Sequence, residues 1–136
     1  MAVKKTERTE GELIAITVTR EAAEYIMKIT DNEKVFPKRA RFTAVYKLQN
    51  MALNLVRLTV EANEIFPKSK EEYYAMRHSR QQEAMAICRS ILALLDMTKD
   101  IYHIAPNRIE YATKLLTNAR IKILQWMKSD EAKYRV

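Results

Sequence analysis

The stretch RFTAVYKLQNMALNLVRLTVEANEIF, Arg41–Phe66, decides the fold. Within it Val45, Leu48, Ala52, Leu55, Thr59, Ala62 and Phe66 recur at alternating spacings of three and four residues, the period at which side chains return to one face of an α-helix. A second apolar register, Ala44, Met51, Leu58 and Ile65, runs beside the first. Two adjacent seams make a face too wide for a two-stranded coiled coil and suited to two neighbouring helices. The stretch therefore reads as a bundle helix from about Arg41 to Glu64.

The flanking sequence supplies the neighbours. Pro67 stops this helix, and Ser69 with Glu72 three residues on makes a capping box for the next. That third helix is expected to reach about His103, with its stripe at Ala84, Ile87, Cys88, Ile91, Leu94, Leu95, Thr98 and Ile101. Its first third, Glu71–Gln82, is polar enough to project or break. A fourth helix is expected just after Pro106, with Asn107 as N-cap and Glu110 as capping partner. Ile109, Ala112, Leu116, Ala119, Ile123 and Trp126 carry its heptad to near Lys128. Upstream, Thr19 is the expected N-cap of a first helix ending near Asn32, with Ala22, Ile26 and Ile29 on one face. The β-branched run Leu13–Val18 reads as an irregular lead into that helix, or else as an added strand or extended arm. The expected organisation is an arm over 1–18, an all-α antiparallel four-helix bundle over 19–130 and a short tail over 131–136.

Composition agrees with helices and excludes much else. The chain has 136 residues, 48% of them hydrophobic, which suits one domain with a sizeable core. It holds a single glycine, Gly11, whereas average usage would supply about nine. Rossmann turns, Walker loops, nucleophile elbows and tight hairpins all need backbone that glycine favours, so those classes fall away. The lone Cys88 lies on an apolar stripe and reads as a small buried hydrophobe. His78 and His103 stand far apart without a carboxylate or cysteine at ligand spacing, and neither has the upstream Arg of HEPN-type helical ribonucleases. His78 reads as a solvated helix residue, and His103 as part of the turn after the third helix. No secretory signal or membrane span is legible. The expectation is a cytoplasmic, noncatalytic protein with no catalytic residue, metal or cofactor.

Charge is the one nonrandom functional feature. The net charge is +7, and it is concentrated. From Lys34 to Val60 no acidic residue interrupts Lys34, Lys38, Arg39, Arg41, Lys47 and Arg57. From Tyr111 to Ser129 acids are again absent, while Lys114, Arg120, Lys122 and Lys128 are present. If the second and fourth helices expose neighbouring polar faces, these segments make one basic surface. Such a surface suits phosphates, because each neutralised phosphate releases counterions and gives affinity that needs no base contact. The candidate nucleic-acid-binding residues are therefore Lys38, Arg39, Arg41, Lys47, Arg57, Lys114, Arg120 and Lys122. The aromatic residues form no evident base-stacking platform, and Trp126 reads as a core or subunit-interface anchor. An interaction bundle that binds only protein is the alternative, motivated by the wide apolar faces.

Three strings, FPKRARFT (Phe36–Thr43), ANEIF (Ala62–Phe66) and ILQWMKSD (Ile123–Asp130), occur in an order and spacing over about Val35 to Asp130 that resembles a known family. It is the four-helix-bundle family of accessory variability determinants of diversity-generating retroelements and intervening-sequence proteins of ribosomal RNA. The resemblance implies a homopentameric, barrel-like assembly with a positive surface. It also implies a noncatalytic partner of reverse transcriptase that binds RNA or cDNA. Lys38, Arg39 and Arg41 match the family's basic motif before the second helix, whereas Arg57, Arg120 and Lys122 rest on charge alone.

Overall fold

A computed structural model describes residues 10–68 and 71–134, the side chains of 10–13 excepted. Four helices account for most of these residues: α1 (Glu10–Asp31), α2 (Tyr46–Glu64), α3 (Glu71–Tyr102) and α4 (Pro106–Tyr134). No strand occurs among the described residues. α1 packs on α2 and α4, and α3 packs on the same two, which makes a four-helix bundle with α2 and α4 across the diagonal.

The stripes predicted for α2 and α4 form the core. Leu48, Leu55, Ile91, Leu95, Leu116, Ile123 and Trp126 are fully buried, joined by Ile26 of α1. Each large aliphatic side chain removed from water in this way contributes about 1.5–3 kcal/mol. Trp126 is thus a core residue. Of the two α2 seams, Met51 and the terminal Ile65 and Phe66 are half-buried, and the rest are buried.

Besides the start of α2, at Tyr46 rather than about Arg41, three boundaries differ from the sequence reading. Leu13–Val18 is helical, because α1 begins at Glu10 rather than at Thr19. Ala15, Thr19, Ala22, Ala23 and Ile26 are all buried at helical spacing, and this register overrides the β-branched preference of Ile14, Ile16 and Val18. Thr19 is consequently interior to the helix and caps nothing. The bundle then continues past residue 130, since α4 runs to Tyr134. α4 also begins two residues earlier than expected: Pro106 takes the first helical position, where its missing N–H is no loss, and Asn107 lies inside the helix. Ser69, the expected cap of α3, lies outside the described residues.

α3 is continuous, so its polar start neither projects nor breaks. Arg77 and Gln81 prolong the buried stripe Ala84, Cys88, Ile91, Leu95 and Thr98 toward the helix N-terminus. Arg77 is 1% exposed and meets Asp130 of α4, equally buried, through Nε–H···Oδ2 at 2.6 Å and Nη2–H···Oδ1 at 2.9 Å. Gln81 donates to the same carboxylate at 2.9 Å, Arg77 also donates to the Ile65 carbonyl, and the guanidinium lies 5.0 Å from the Trp126 ring. This bidentate pair ties the end of α2, the start of α3 and the end of α4 together.

At the other end of α3, His103 adopts φ = 55°. Its position is that of the left-handed residue that follows a helix, and the Ile104 N–H reaches back to the Lys99 carbonyl at 3.1 Å, as in a Schellman motif. Histidine here occupies the conformation glycine would favour.

Candidate nucleic-acid interface

The basic cluster sits on the connection between α1 and α2, and three devices make that connection ordered. Asn32 accepts from the N–H groups of Val35 and Phe36 through its carbonyl, each at 2.9 Å, and from that of Lys34 through its side chain at 3.0 Å, an Asx turn. Phe36 is buried and pins the loop to the core. Beyond Pro37 the backbone enters a 3₁₀ turn, Lys38–Ala40, then a π-helical turn, Arg41–Val45, closed by the Tyr46 N–H on the Arg41 carbonyl.

That wide turn changes what faces water. Arg41 and Phe42 stand four and three residues before Val45, so in a regular helix both would share its buried side. The π turn brings Ala40 into the core instead and leaves Arg41, Phe42 and Thr43 exposed in succession. Lys38 and Arg39 are exposed as well.

Two small constellations result. Lys38 and Arg41 line a polar cleft of about 290 Å³ with Thr30, Glu33 and Tyr46, and Arg41 pairs with Glu33 at 3.0 Å. Both members of this pair are about half exposed, and ion pairs open to water contribute only about 0.2–1 kcal/mol, so an incoming phosphate can replace the carboxylate. The second constellation centres on Tyr102 at the end of α3. Arg39 lies 5.2 Å from its ring, its hydroxyl is 2.8 Å from the Thr43 hydroxyl, and Lys47 lines the adjoining groove. Among the described residues Lys38, Arg39 and Lys47 have no acidic partner.

The other candidates stand elsewhere. Arg57 lies further along α2 and is engaged by Glu61 at 2.6 Å and by Asn54. Lys114, Arg120 and Lys122 are on α4, which does not pack on α2. The two acid-free segments therefore lie on diagonal helices. Lys114 is exposed, Lys122 is half-buried, and Arg120 lines an α3–α4 groove with Arg89, Met85 and Leu124 while its Nε is buried without a partner. Arg120 is also near Cys88, whose thiol burial pushes up to about 12 against the opposing pull of that guanidinium. A thiol so placed stays protonated and is a poor nucleophile.

His78 is half-buried rather than freely solvated; it stacks on Tyr74 at 5.6 Å and its Nδ1 is enclosed. No three potential metal-ligating side chains converge among the described residues. No described helix is long and apolar enough to cross a membrane.

One exposed side chain among these cations is not in the sequence-derived set. Phe42 is 80% exposed and makes an edge-to-face contact with the exposed Tyr46, ring centroids 5.5 Å apart. Its apolar identity beside Val45 points inward, and only the π turn turns it out. Comparison with protein-family models, curated proteins and solved structures gives no match.

Proposed function

We propose that this chain is a noncatalytic accessory protein that holds template RNA or its cDNA beside a reverse transcriptase in a diversity-generating retroelement, acting in the cytoplasm. The observation that carries the nucleic-acid part is the set Lys38, Arg39 and Lys47, free of acidic partners among the described residues, the first two on a connection anchored by Phe36 and Tyr102 and the third in the first turn of α2. An ordered array of cations meets a phosphodiester chain with little loss of side-chain freedom. The reverse transcriptase and the retroelement rest on the family resemblance of Phe36–Thr43, Ala62–Phe66 and Ile123–Asp130.

The helices run up, down, up and down in this reading. The α3–α4 connection spans only residues 103–105, too short for anything but a reversal between neighbours. Protomers assemble into a ring-like homopentamer. Self-association uses the apolar α2–α3 groove, about 140 Å³, which exposed Met97 and Ile101 flank. That groove also favours the second reading, an interaction bundle or ribosomal intervening-sequence protein with no reverse transcriptase.

The test is fluorescence anisotropy of a labelled RNA against two charge-reversed proteins. Lys38→Glu with Arg39→Glu and Arg41→Glu is expected to weaken binding and lower the salt slope by about 0.7–0.9 per lost phosphate contact. Lys114→Glu with Lys122→Glu, on α4, is expected to leave most binding in place. Unchanged affinity and slope in the first protein would remove the α1–α2 connection from the site.

A further inference from the structure

Phe42 is the most exposed large hydrophobic side chain among those described, and the backbone irregularity beneath it is what exposes it. Regular helix through residues 41–45 would give the ring a place beside Val45; the π turn spends that position on Ala40, which is fully buried. π-helical turns inside helices occur frequently at functional sites because they re-aim side chains in this way. An outward phenyl ring serves the chain's own packing little and leaves a large apolar surface in water.

Its surroundings identify the occupant. Lys38, Arg39 and Arg41 precede Phe42 and Lys47 follows it, all exposed. An apolar protein surface closing over this ring would have to desolvate several cations at once, which is unfavourable without matching acids. A polynucleotide matches both features, with phosphates for the cations and a flat π face for the ring. The neighbouring Tyr102 is not equally available, since Arg39 covers its ring and Thr43 engages its hydroxyl. The edge-to-face contact with Tyr46 braces Phe42 and occupies at most one of its faces.

We propose that Phe42, braced by Tyr46, is a stacking platform for an unpaired base, so that the nucleic acid held at the α1–α2 connection is single-stranded there. The inference rests on the nucleic-acid reading above and adds to it the strandedness of the ligand. Bases in a duplex already stack on one another and offer no free face within the helix.

The experiment compares a labelled fifteen-nucleotide oligouridylate with a fifteen-base-pair RNA duplex of mixed sequence, titrated with the full chain and with Phe42→Leu and Phe42→Tyr. The expected result is a loss of about 5- to 150-fold on the oligouridylate for Phe42→Leu. Duplex affinity and the salt slope stay within a factor of two, and Phe42→Tyr restores single-strand binding. Equal losses on both RNAs, or no loss on either, would overturn the platform while leaving the phosphate site intact. A wild-type protein that binds neither RNA would overturn both readings. Sedimentation velocity supplies the remaining arm: a Phe42→Leu protein of smaller assembly mass assigns the ring to a contact between protein chains and overturns the proposal.

Discussion

Removing Asp130 tests how the far end of the bundle is held. Asp130→Ala takes away the acceptor of the 2.6 and 2.9 Å bonds from Arg77 and of the 2.9 Å bond from Gln81. The guanidinium, 1% exposed, then keeps the Ile65 carbonyl and the face of Trp126 but has lost its counterion. A buried charge stripped of its counterion in this way costs about 3–5 kcal/mol. Unfolding entropy of about 2.1 cal/mol/K per residue over 136 residues converts that loss into a fall in Tm of roughly 10–17 °C. Arg77→Met should be similarly severe, because among the described residues it leaves the buried carboxylate with Gln81 alone as donor. The combined Arg77→Met, Asp130→Leu protein removes both charges and fills the space with apolar atoms. Its Tm should lie closer to wild type than that of either single variant. Thermal unfolding followed by far-UV circular dichroism, with urea titration as a second measure, reads all four proteins. A single-variant loss under about 1 kcal/mol, or a double variant as unstable as the two losses added together, would refute the pair as a coupled structural unit.

Other consequences are smaller in scale. His103→Gly relieves the positive φ and should raise stability by about 1 kcal/mol, visible as a Tm increase of about 3–4 °C. Thr19→Val removes a hydroxyl that is buried without a partner and keeps the shape, so stability should rise by about 0.5–1 kcal/mol in urea titration. Cys88 should resist a disulfide reagent such as dithionitrobenzoate at pH 8 in the native protein and react on unfolding. Its thiol is raised from 9.0 to about 12, so the unfolded chain loses the proton first. The associated stability is complete below pH 9 and declines between pH 9 and 12, with a slope approaching 1.4 kcal/mol per pH unit. Cys88→Ala should remove that component of the alkaline decline.

The helical stripes were legible because their residue types match their places: Leu48, Leu55, Leu116 and Ile123 announce a face by their hydrophobicity. Arg77, Gln81 and Asp130 were not legible for the converse reason. They occupy the next core positions of the stripes in α3 and α4, four before Gln81 or four after Trp126, yet their chemistry mimics a solvated face. Projecting the heptad through them would have placed an acid and a base at core positions on two helices, which is a signal for a buried pair. Ala15 and Thr19 hid the start of α1 similarly, being small residues beside the larger and more conspicuous Ile14, Ile16 and Val18. At the candidate interface, the identity of the cations could be read directly, but their grouping could not. α2 and α4 lie across the bundle diagonal, so the two acid-free segments are not carried on neighbouring helices. Ion pairing with Glu33 and Glu61, at the margins of the acid-free segment, engages Arg41 and Arg57. The π turn that exposes Phe42 has no sequence signature comparable to proline or glycine, so a regular helix was the natural expectation there.

Phosphate recognition is tested most directly by the salt dependence of RNA affinity for the unmodified chain. Anisotropy titrations of the labelled oligouridylate between 50 and 300 mM KCl give the slope of log K against log salt. Contacts from Lys38, Arg39, Arg41 and Lys47 predict a linear fall with a slope of about −3, near 0.7 for each of the four phosphates engaged. Affinity that is absent at 50 mM, or that stays flat across the range, would contradict a nucleic-acid role for this surface.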